Sequence, residues 1–478
     1  MSGALSTISN SRASSKLNNI ISAQWIGIHA RSSGFVQRRG NLNPVKFIEA
    51  VLTAVGTPQK RDTIQAVVTE YNSHVSKGER IFYKPLHNRL RSEGCKNFLL
   101  EFVAKLQAHV VKCMHRPDFE KLLATLQKNG LPVDDFFLHD GTYWKIHEDF
   151  SEQYPATRHA KKAELVENTY EIDGTPVMNE PKFAQMGMQT TYSMRSGTII
   201  RADITAATAN ETDYVPKGQG KGILHLMDAG YGDFKLLHDI DSACEFFITK
   251  LKANSAAVIE SVKIDGTDFT KFFAGKKLSC KEFRTFREKE VVDATVRLSD
   301  GNCYRAIRFY SKKERQARNF ITNIFSNRIT AKMICAIYKI RWQIELLFKD
   351  LKSGSNLTGV NTRVENIVYV MLFASLAAHF LKQLAASAVA ITSGIETSLY
   401  RLSVYSNSWL REYIHALFAK DLEHIKQIIK NLGSTKGCFE RVRQSIQKHA
   451  KLKTLISVYA YLYGSLAPKA FETFLLEA

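Results

Sequence analysis

Asp140 closes the apolar run "FFLHD", and Asp228 closes a second one, "ILHLMD". A carboxylate at the end of a buried strand is held by the sheet while its head reaches the edge where ligands bind. Taken singly, each is better explained by the ordinary preference of Asp for strand ends and turns. A third acid, Glu345, lies in "YKIRWQIELLFKDLK", from Tyr338 to Lys352. On an α-helix turning about 100° per residue, Arg341, Glu345, Lys349 and Lys352 all fall within about 60° of Tyr338. Ile337, Ile340, Ile344, Leu347 and Leu351 point about 110° away and make a core stripe. One rigid helix thus buries one face and presents a single carboxylate among three cations and a phenol. The plain alternative is a solvated face on which Glu345 and Lys349 form an ordinary i,i+4 pair.

What weakens the plain readings is their coincidence. Three carboxylates without neighbouring His or Cys ligands suit a hard cation, Mg2+ with Mn2+ as a substitute. Two such ions activate a water or a 3′-hydroxyl and stabilise the leaving oxygen during in-line attack on a phosphodiester. Cations beside the acids hold phosphates. The chemistry that fits is DNA cleavage and joining.

Those side chains need elements to position them. Residues 1–130 read as helical. "NPVKFIEAVLTAV" opens on Asn43 as N-cap and Pro44 at the first helical position, and "TPQKRDTIQAVVTEY" repeats the device with Thr57 and Pro58. "YKPLHNRLRSEG" follows with Lys84, Arg89 and Arg91, either the reading helix of a helix-turn-helix or one more helix of a small bundle. "DFEKLLATLQKNG" closes the region, capped by Asp118 and stopped by Gly130. Short β-prone runs separated by turn residues fill residues 131–254, with a helix over "DFKLLHDIDSA" and a strand over "EFFITKLKAN". Residues 255–326 form a β-rich insertion with an Asp300-Gly301 hairpin turn. Residues 327–385 hold the helix of Glu345 and an apolar helix over 367–381; residues 386–478 are a helical, basic tail including "RVRQSIQKHAKLK", for DNA contact or dimerisation. The fold class is α/β.

Charge agrees with a polyanionic partner. The net charge is +20, of which +11 lies in residues 1–130 and +6 in residues 361–478. Seven scattered cysteines without a C-x-x-C pair suggest neither a disulfide framework nor a zinc site, and fit a reducing cytoplasm. No secretory signal is visible, and the 15-residue apolar run is short for a membrane span, so it reads as a buried core helix. "PKGQGKG" lacks the spacing of a phosphate-binding loop, so no nucleotide cofactor is expected. His139 and His225 read as strand packing.

Tyr338, Arg341, Glu345 and Lys352 reproduce the Y-R-E-K spacing of bacterial insertion-sequence transposases. With Asp140-Gly141-Thr142, Asp228-Ala229-Gly230-Tyr231, "FFITKLKAN" and "GFVQRRGNLNPVKFIEAVL", the chain resembles the insertion-sequence-four family of DDE transposases over about residues 30–385. The resemblance implies a ribonuclease-H-like catalytic core, interrupted by a β-rich insertion in the 116 residues between Asp228 and Glu345. It implies Asp140, Asp228 and Glu345 as catalytic metal ligands, and Tyr338, Arg341 and Lys352 as DNA contacts, beside Lys349. Its expected substrates are double-stranded DNA, at transposon-end inverted repeats and at a target, with a homodimer on paired ends in a bacterial, nucleoid-associated setting. Ala229 stands where many relatives carry a basic residue. No Trp lies between Trp144 and Trp342 to hold a flipped base, although Phe269, Phe272, Phe273, Phe283 and Phe286 could stack. A binding protein that no longer catalyses, and a related nuclease that cuts without joining, are the competing readings.

Overall fold

In the computed structural model the chain is described over residues 21–434, apart from 39, 41, 59–62, 115, 159–168, 173–174, 179–183, 252–255, 281–290, 312–315, 358–361 and 394–398. The basic cluster over 441–453, Phe283 and Phe286 lie outside these residues.

Helices come first. Among the described residues they are α1 (Ala23–Ser32), α2 (Pro44–Gly56), α3 (Thr63–Asn72), α4 (Tyr83–Leu90), α5 (Glu93–Cys113) and α6 (Pro117–Lys128). Asn43 caps α2 as expected, its side chain accepting from Val45 N and Lys46 N, with Pro44 in the first turn. The helix start expected after Thr57 and Pro58 falls partly on residues 59–62, outside the described residues. Thr57 itself ends α2, its backbone N–H and hydroxyl both donating to the Thr53 carbonyl. α6 starts at Pro117, one residue before the expected cap, and Gly130 follows it in the left-handed region at φ +78°.

A ten-stranded sheet follows in the order β5-β4-β1-β6-β7-β12-β11-β10-β8-β9. Its members are β1 (Asp135–Ile146), β4 (Ala184–Ser193), β5 (Thr198–Ala206), β6 (Ile223–Met227), β7 (Phe246–Lys250), β8 (Val258–Ile264), β9 (Thr267–Asp268), β10 (Val292–Arg297), β11 (Cys303–Ser311) and β12 (Gln316–Thr322); β2 (Thr169–Ile172) and β3 (Thr175–Met178) pair apart. β1, β6 and β7 run parallel, while β4 and β5 continue antiparallel from β1. This is the mixed five-stranded core of a ribonuclease-H-like fold. The strands after β7 extend the same sheet through the antiparallel β7–β12 pair. Gly301, at φ +86°, makes the expected turn between β10 and β11.

Strand periodicity sorts the core onto two faces. Leu224, Leu226 and Ile248 join the cluster with the N- and C-terminal helices, whereas Met227 and Phe247 join the cluster under α7 (Phe234–Ser242). The C-terminal half adds α8 (Ala331–Tyr338), α9 (Trp342–Gly354), α10 (Glu365–Ser393), α11 (Leu399–Val404), α12 (Leu410–Ala419) and α13 (Leu422–Ser434). α10 packs on α5, α2 and α13. It is long and apolar enough to cross a membrane, yet 89% of its most apolar window is buried inside the protein, as a core helix requires. Close packing also fixes Gly94. A Cβ there would lie 2.6 Å from the Gly34 backbone, so Gly94→Ala is expected to lower stability by roughly 1–3 kcal/mol despite alanine's better helix propensity. A thermal melt unchanged from wild type would contradict this.

Candidate active site

β6 ends at Met227, and Asp228 follows as the cap of a short 3-10 turn, its Oδ1 accepting from Gly230 N at 2.7 Å. Asp140 is not at a strand end. β1 runs six residues beyond it, pairing with β4 as far as Ile146, because Gly141 and Thr142 stay extended opposite Gln189 and Met188. The parallel pairing of β1 with β6 does stop at Leu138, so Asp140 stands just past the point where the two central strands part. That is the same edge at which β6 delivers Asp228.

The rod expected from Tyr338 to Lys352 is continuous, with Tyr338, Lys339, Arg341 and Trp342 all in the right-handed helical region, and it tightens in its first turn. α8 ends at Tyr338, residues Lys339–Arg341 form a 3-10 turn that buries Ile340, and α9 begins at Trp342. Arg341 reaches the sheet edge from this first turn. Its Nη1 donates to Asp140 Oδ2 at 3.0 Å, and its Nη2 donates to Glu345 Oε1 one helical turn on. One guanidinium therefore bridges two acids 205 positions apart in the chain, and its side chain is 11% exposed. Glu345 pairs with Arg341 rather than with Lys349, whose ammonium lies 5.1 Å from the Tyr400 ring centroid.

Burial pushes the Asp140 carboxyl up to about 6; the neighbouring Asp228 and Glu211 charges push the same way, and Arg341 opposes them. Lys250, from the end of β7, faces the same charges: burial first, then Arg318 and Arg341, lower its pKa, while Asp228 and Glu345 raise it. Lys352 is half-buried and donates to the Tyr143 carbonyl at 3.2 Å, its pKa lowered by burial. Tyr338 is 5% exposed, packed on Phe320, and burial pushes its phenol up to about 12. Lys84 and Arg91 are exposed at either end of α4, whereas Arg89 donates to the Phe35 carbonyl at 3.1 Å and so ties α4 to the loop after α1.

The donor set at this edge is all oxygen, and a cationic guanidinium already stands between two of its members. Thr190, the cross-strand neighbour of Asp140, also buries a hydroxyl without a hydrogen-bond partner. In kind these oxygen donors fit a hard divalent cation; the oxygens of the three acids are not all within 4.8 Å of one another here, so an ion would draw them together.

Among the described residues a different trio, Glu49, His74 and His415, gathers its donor atoms within 4.8 Å. Lys46 pairs with Glu49 at 3.3 Å and Arg411 Nε lies 3.1 Å from His74 Nε2, making it an ion-pair cluster between α2, the end of α3 and α12. His139 and His225 lie beneath the edge as a buried stacked pair 2.9 Å apart, with His225 also 3.1 Å from Glu245. Burial holds His139 well below its usual pKa, so it is neutral.

The family described as "Transposase DDE domain" matches residues 132–381, just over half of the chain and the whole stretch that carries these acids. The chain belongs to that family. The transposase is similar to the transposase for insertion sequence element IS1151 of Clostridium perfringens, at 22% identity over 363 residues, covering 68% of this chain and 70% of the relative. It is also similar to a candidate transposase, y4zB, of Sinorhizobium fredii, at 27% identity over 241 residues, covering 47% and 62%. Among solved structures, the piggyBac transposase synaptic complex with hairpin DNA aligns at a TM-score of 0.40 and 10% identity, covering 93% of this chain and 82% of that one. Membership makes the protein an insertion-sequence type of transposase, a DNA-binding and DNA-cleaving, transesterifying enzyme whose domain implies a divalent metal ion.

Sequence reasoning missed Glu211, Tyr143 and Lys250. Lys250 stood in a recognised stretch without a role, and Glu211 lies in "ANETDY", which carries no signal beyond a polar loop.

Proposed function

We propose that this transposase uses Mg2+, with Mn2+ as a substitute, to cut at terminal inverted repeats and transfer the freed 3′ ends into target DNA. The relevant assembly is a homodimer on paired ends, within a bacterial insertion sequence of the insertion-sequence-four type. The observation that carries the reading is the single guanidinium of Arg341 joining Asp140 to Glu345 at the edge where Asp228 emerges. Asp140, Asp228 and Glu345 would hold the metal. When bound, two such ions supply an activated water or 3′-hydroxyl and charge stabilisation at the phosphodiester.

The chain's own residues do the rest. Arg341 is released from Asp140 and Glu345 once their charge is met elsewhere, and its planar fork then suits a phosphate. Lys352, fixed on the Tyr143 carbonyl, and exposed Lys349 line the same helix and neutralise the strand being cut. Buried Tyr338 backs Arg341 and sets its angle rather than reaching the DNA surface. Lys84 and Arg91 on α4 would hold the end sequence more remotely, with Arg89 bracing that helix. The five domain intervals read from the sequence, with binding at the two ends and catalysis between, describe the same division of labour.

The test is a cleavage assay on the DNA that flanks the gene, with Mg2+ or EDTA. Nicks at the repeat tip that need the metal, followed by joined products, are expected. Specific binding without any cut in Mg2+ or Mn2+ would favour a non-catalytic binding protein; cutting without joining would favour a nuclease. Separately, Lys349→Ala should weaken binding about equally across DNA sequences and reduce the slope of log K against log salt by about one. A slope equal to wild type would remove Lys349 from the interface.

A further inference from the structure

Glu211 opens a short 3-10 turn that follows β5, 71 positions after Asp140 and 17 before Asp228. Nothing in its local sequence ties it to either. In space it lies between them. A Cβ built on Gly141, the residue after Asp140, would be 2.9 Å from Glu211 Oε1. A Cβ built on Gly230, two after Asp228, would be 3.0 Å from Asp228 Oδ1 and 3.7 Å from Glu211 Oε2. The glycines of the D-G-T and D-x-G-Y motifs are therefore the two positions that leave room for this carboxylate, one oxygen beside each motif.

The carboxylate is also aimed. Tyr143 donates its hydroxyl to Glu211 Oε1, and Gln189 Nε2 donates in turn to the Tyr143 oxygen at 3.2 Å. Gln189 is buried and its Oε1 has no partner, lying 2.7 Å from the Gly141 Cβ position on the same side. Arg341 bridges Asp140 and Glu345, and no hydrogen bond or ion pair joins it to Glu211. A carboxylate beside two others, in a half-buried pocket, raises the free energy of the site unless a cation offsets it.

We infer that Glu211 is a fourth carboxylate of the divalent-metal centre, holding an ion together with Asp140 and Asp228, with Tyr143 as the residue that positions it. This rests on the proposal that Asp140 and Asp228 are metal ligands.

The experiment is Mn2+ binding to the full chain without DNA, followed by electron paramagnetic resonance of free Mn2+, for wild type, Glu211→Gln, Tyr143→Phe and Asp140→Asn. Thermal melts check that each variant is folded. Glu211→Gln keeps the hydrogen bond from Tyr143 and removes only the charge, so it separates ligation from packing. The expected result is an affinity loss of roughly 10- to 100-fold in Glu211→Gln, a smaller loss in Tyr143→Phe, and a loss at least as large in Asp140→Asn. If Asp140→Asn loses Mn2+ while Glu211→Gln binds it as wild type does, the fourth ligand is overturned and the triad stands. If Asp140→Asn binds Mn2+ like wild type, the triad reading fails and the role of Glu211 fails with it.

Discussion

Asp140→Ala, Asp228→Ala and Glu345→Ala are each expected to lower cleavage of the cognate DNA end roughly a thousandfold or more while leaving the protein folded. The three acids reach one sheet edge from β1, from the turn after β6 and from α9, so no single element can compensate for another. Because they act as a unit on one metal centre, the triple variant should be little worse than any single one. Stability should not follow activity. Removing Asp140 relieves a carboxyl that burial and its acidic neighbours already disfavour, and Arg341 keeps Glu345 as a partner. Cleavage should also fall as the pH drops, with the fall beginning at higher pH when metal is limiting, because protons compete with metal for Asp140, whose carboxyl burial pushes up to about 6 when no ion is bound. Folded single variants that cut at the wild-type rate would remove the acids from catalysis.

The parts of this arrangement that were legible in the sequence are those set by local rules. Alternating apolar runs gave most of the strands, Asn43-Pro44 marked a helix start, and Arg341 and Glu345 sat one turn apart. Where the reading departed, a tertiary partner had decided. β4 supplies a continuous antiparallel neighbour, so "DGT", which looks like a turn, stays extended and Asp140 ends up in mid-strand. The Arg341–Asp140 contact had no local signal either, because it joins a helix to a strand far away in sequence. Glu211 was invisible for the same reason, since its meaning lies in two glycines on other elements. At the end of α2, where Thr57 is the C-cap, packing is equally tertiary: the Cβ position of Gly56 is filled by Leu410 and Ala378.

Asp350→Ala is expected to destabilise the transposase by roughly 3–5 kcal/mol, the largest stability effect of any single change considered, by exposing the weakness of a buried ionic cluster. Asp350 lies on α9, five residues beyond Glu345, and accepts from or shares a proton with His379 Nδ1 of α10 at 2.8 Å; both are buried. Lys382, one turn further along α10 and fully buried, donates to the Gly354 carbonyl at 2.5 Å and to Ser355 Oγ at 3.4 Å. It thus satisfies the C-terminal end of the helix that carries Glu345. Burial would raise the Asp350 pKa, but the hydrogen bond and charge of His379 and the charge of Lys382 hold it below its ordinary value. Burial pushes Lys382 down to about 8, with Asp350 opposing. Deleting Asp350 leaves the buried Lys382 ammonium without its counter-charge and His379 Nδ1 without its hydrogen-bond partner, so the loss exceeds that of a simple cavity. The pH dependence follows. Between about 8 and the ordinary lysine value of 10.5 the unfolded chain binds a proton at Lys382 that the folded chain has released, so this residue's contribution to stability rises with pH across that window. Chemical denaturation of wild type and Lys382→Met at pH 8 and pH 10 isolates it: the rise should be present in the first and absent in the second. Equal pH slopes would show that Lys382 titrates in the fold as it does in water. Because the cluster clamps α9 to α10, its loss should move Glu345 as well, and cleavage should fall in Asp350→Ala even at temperatures where the variant is folded.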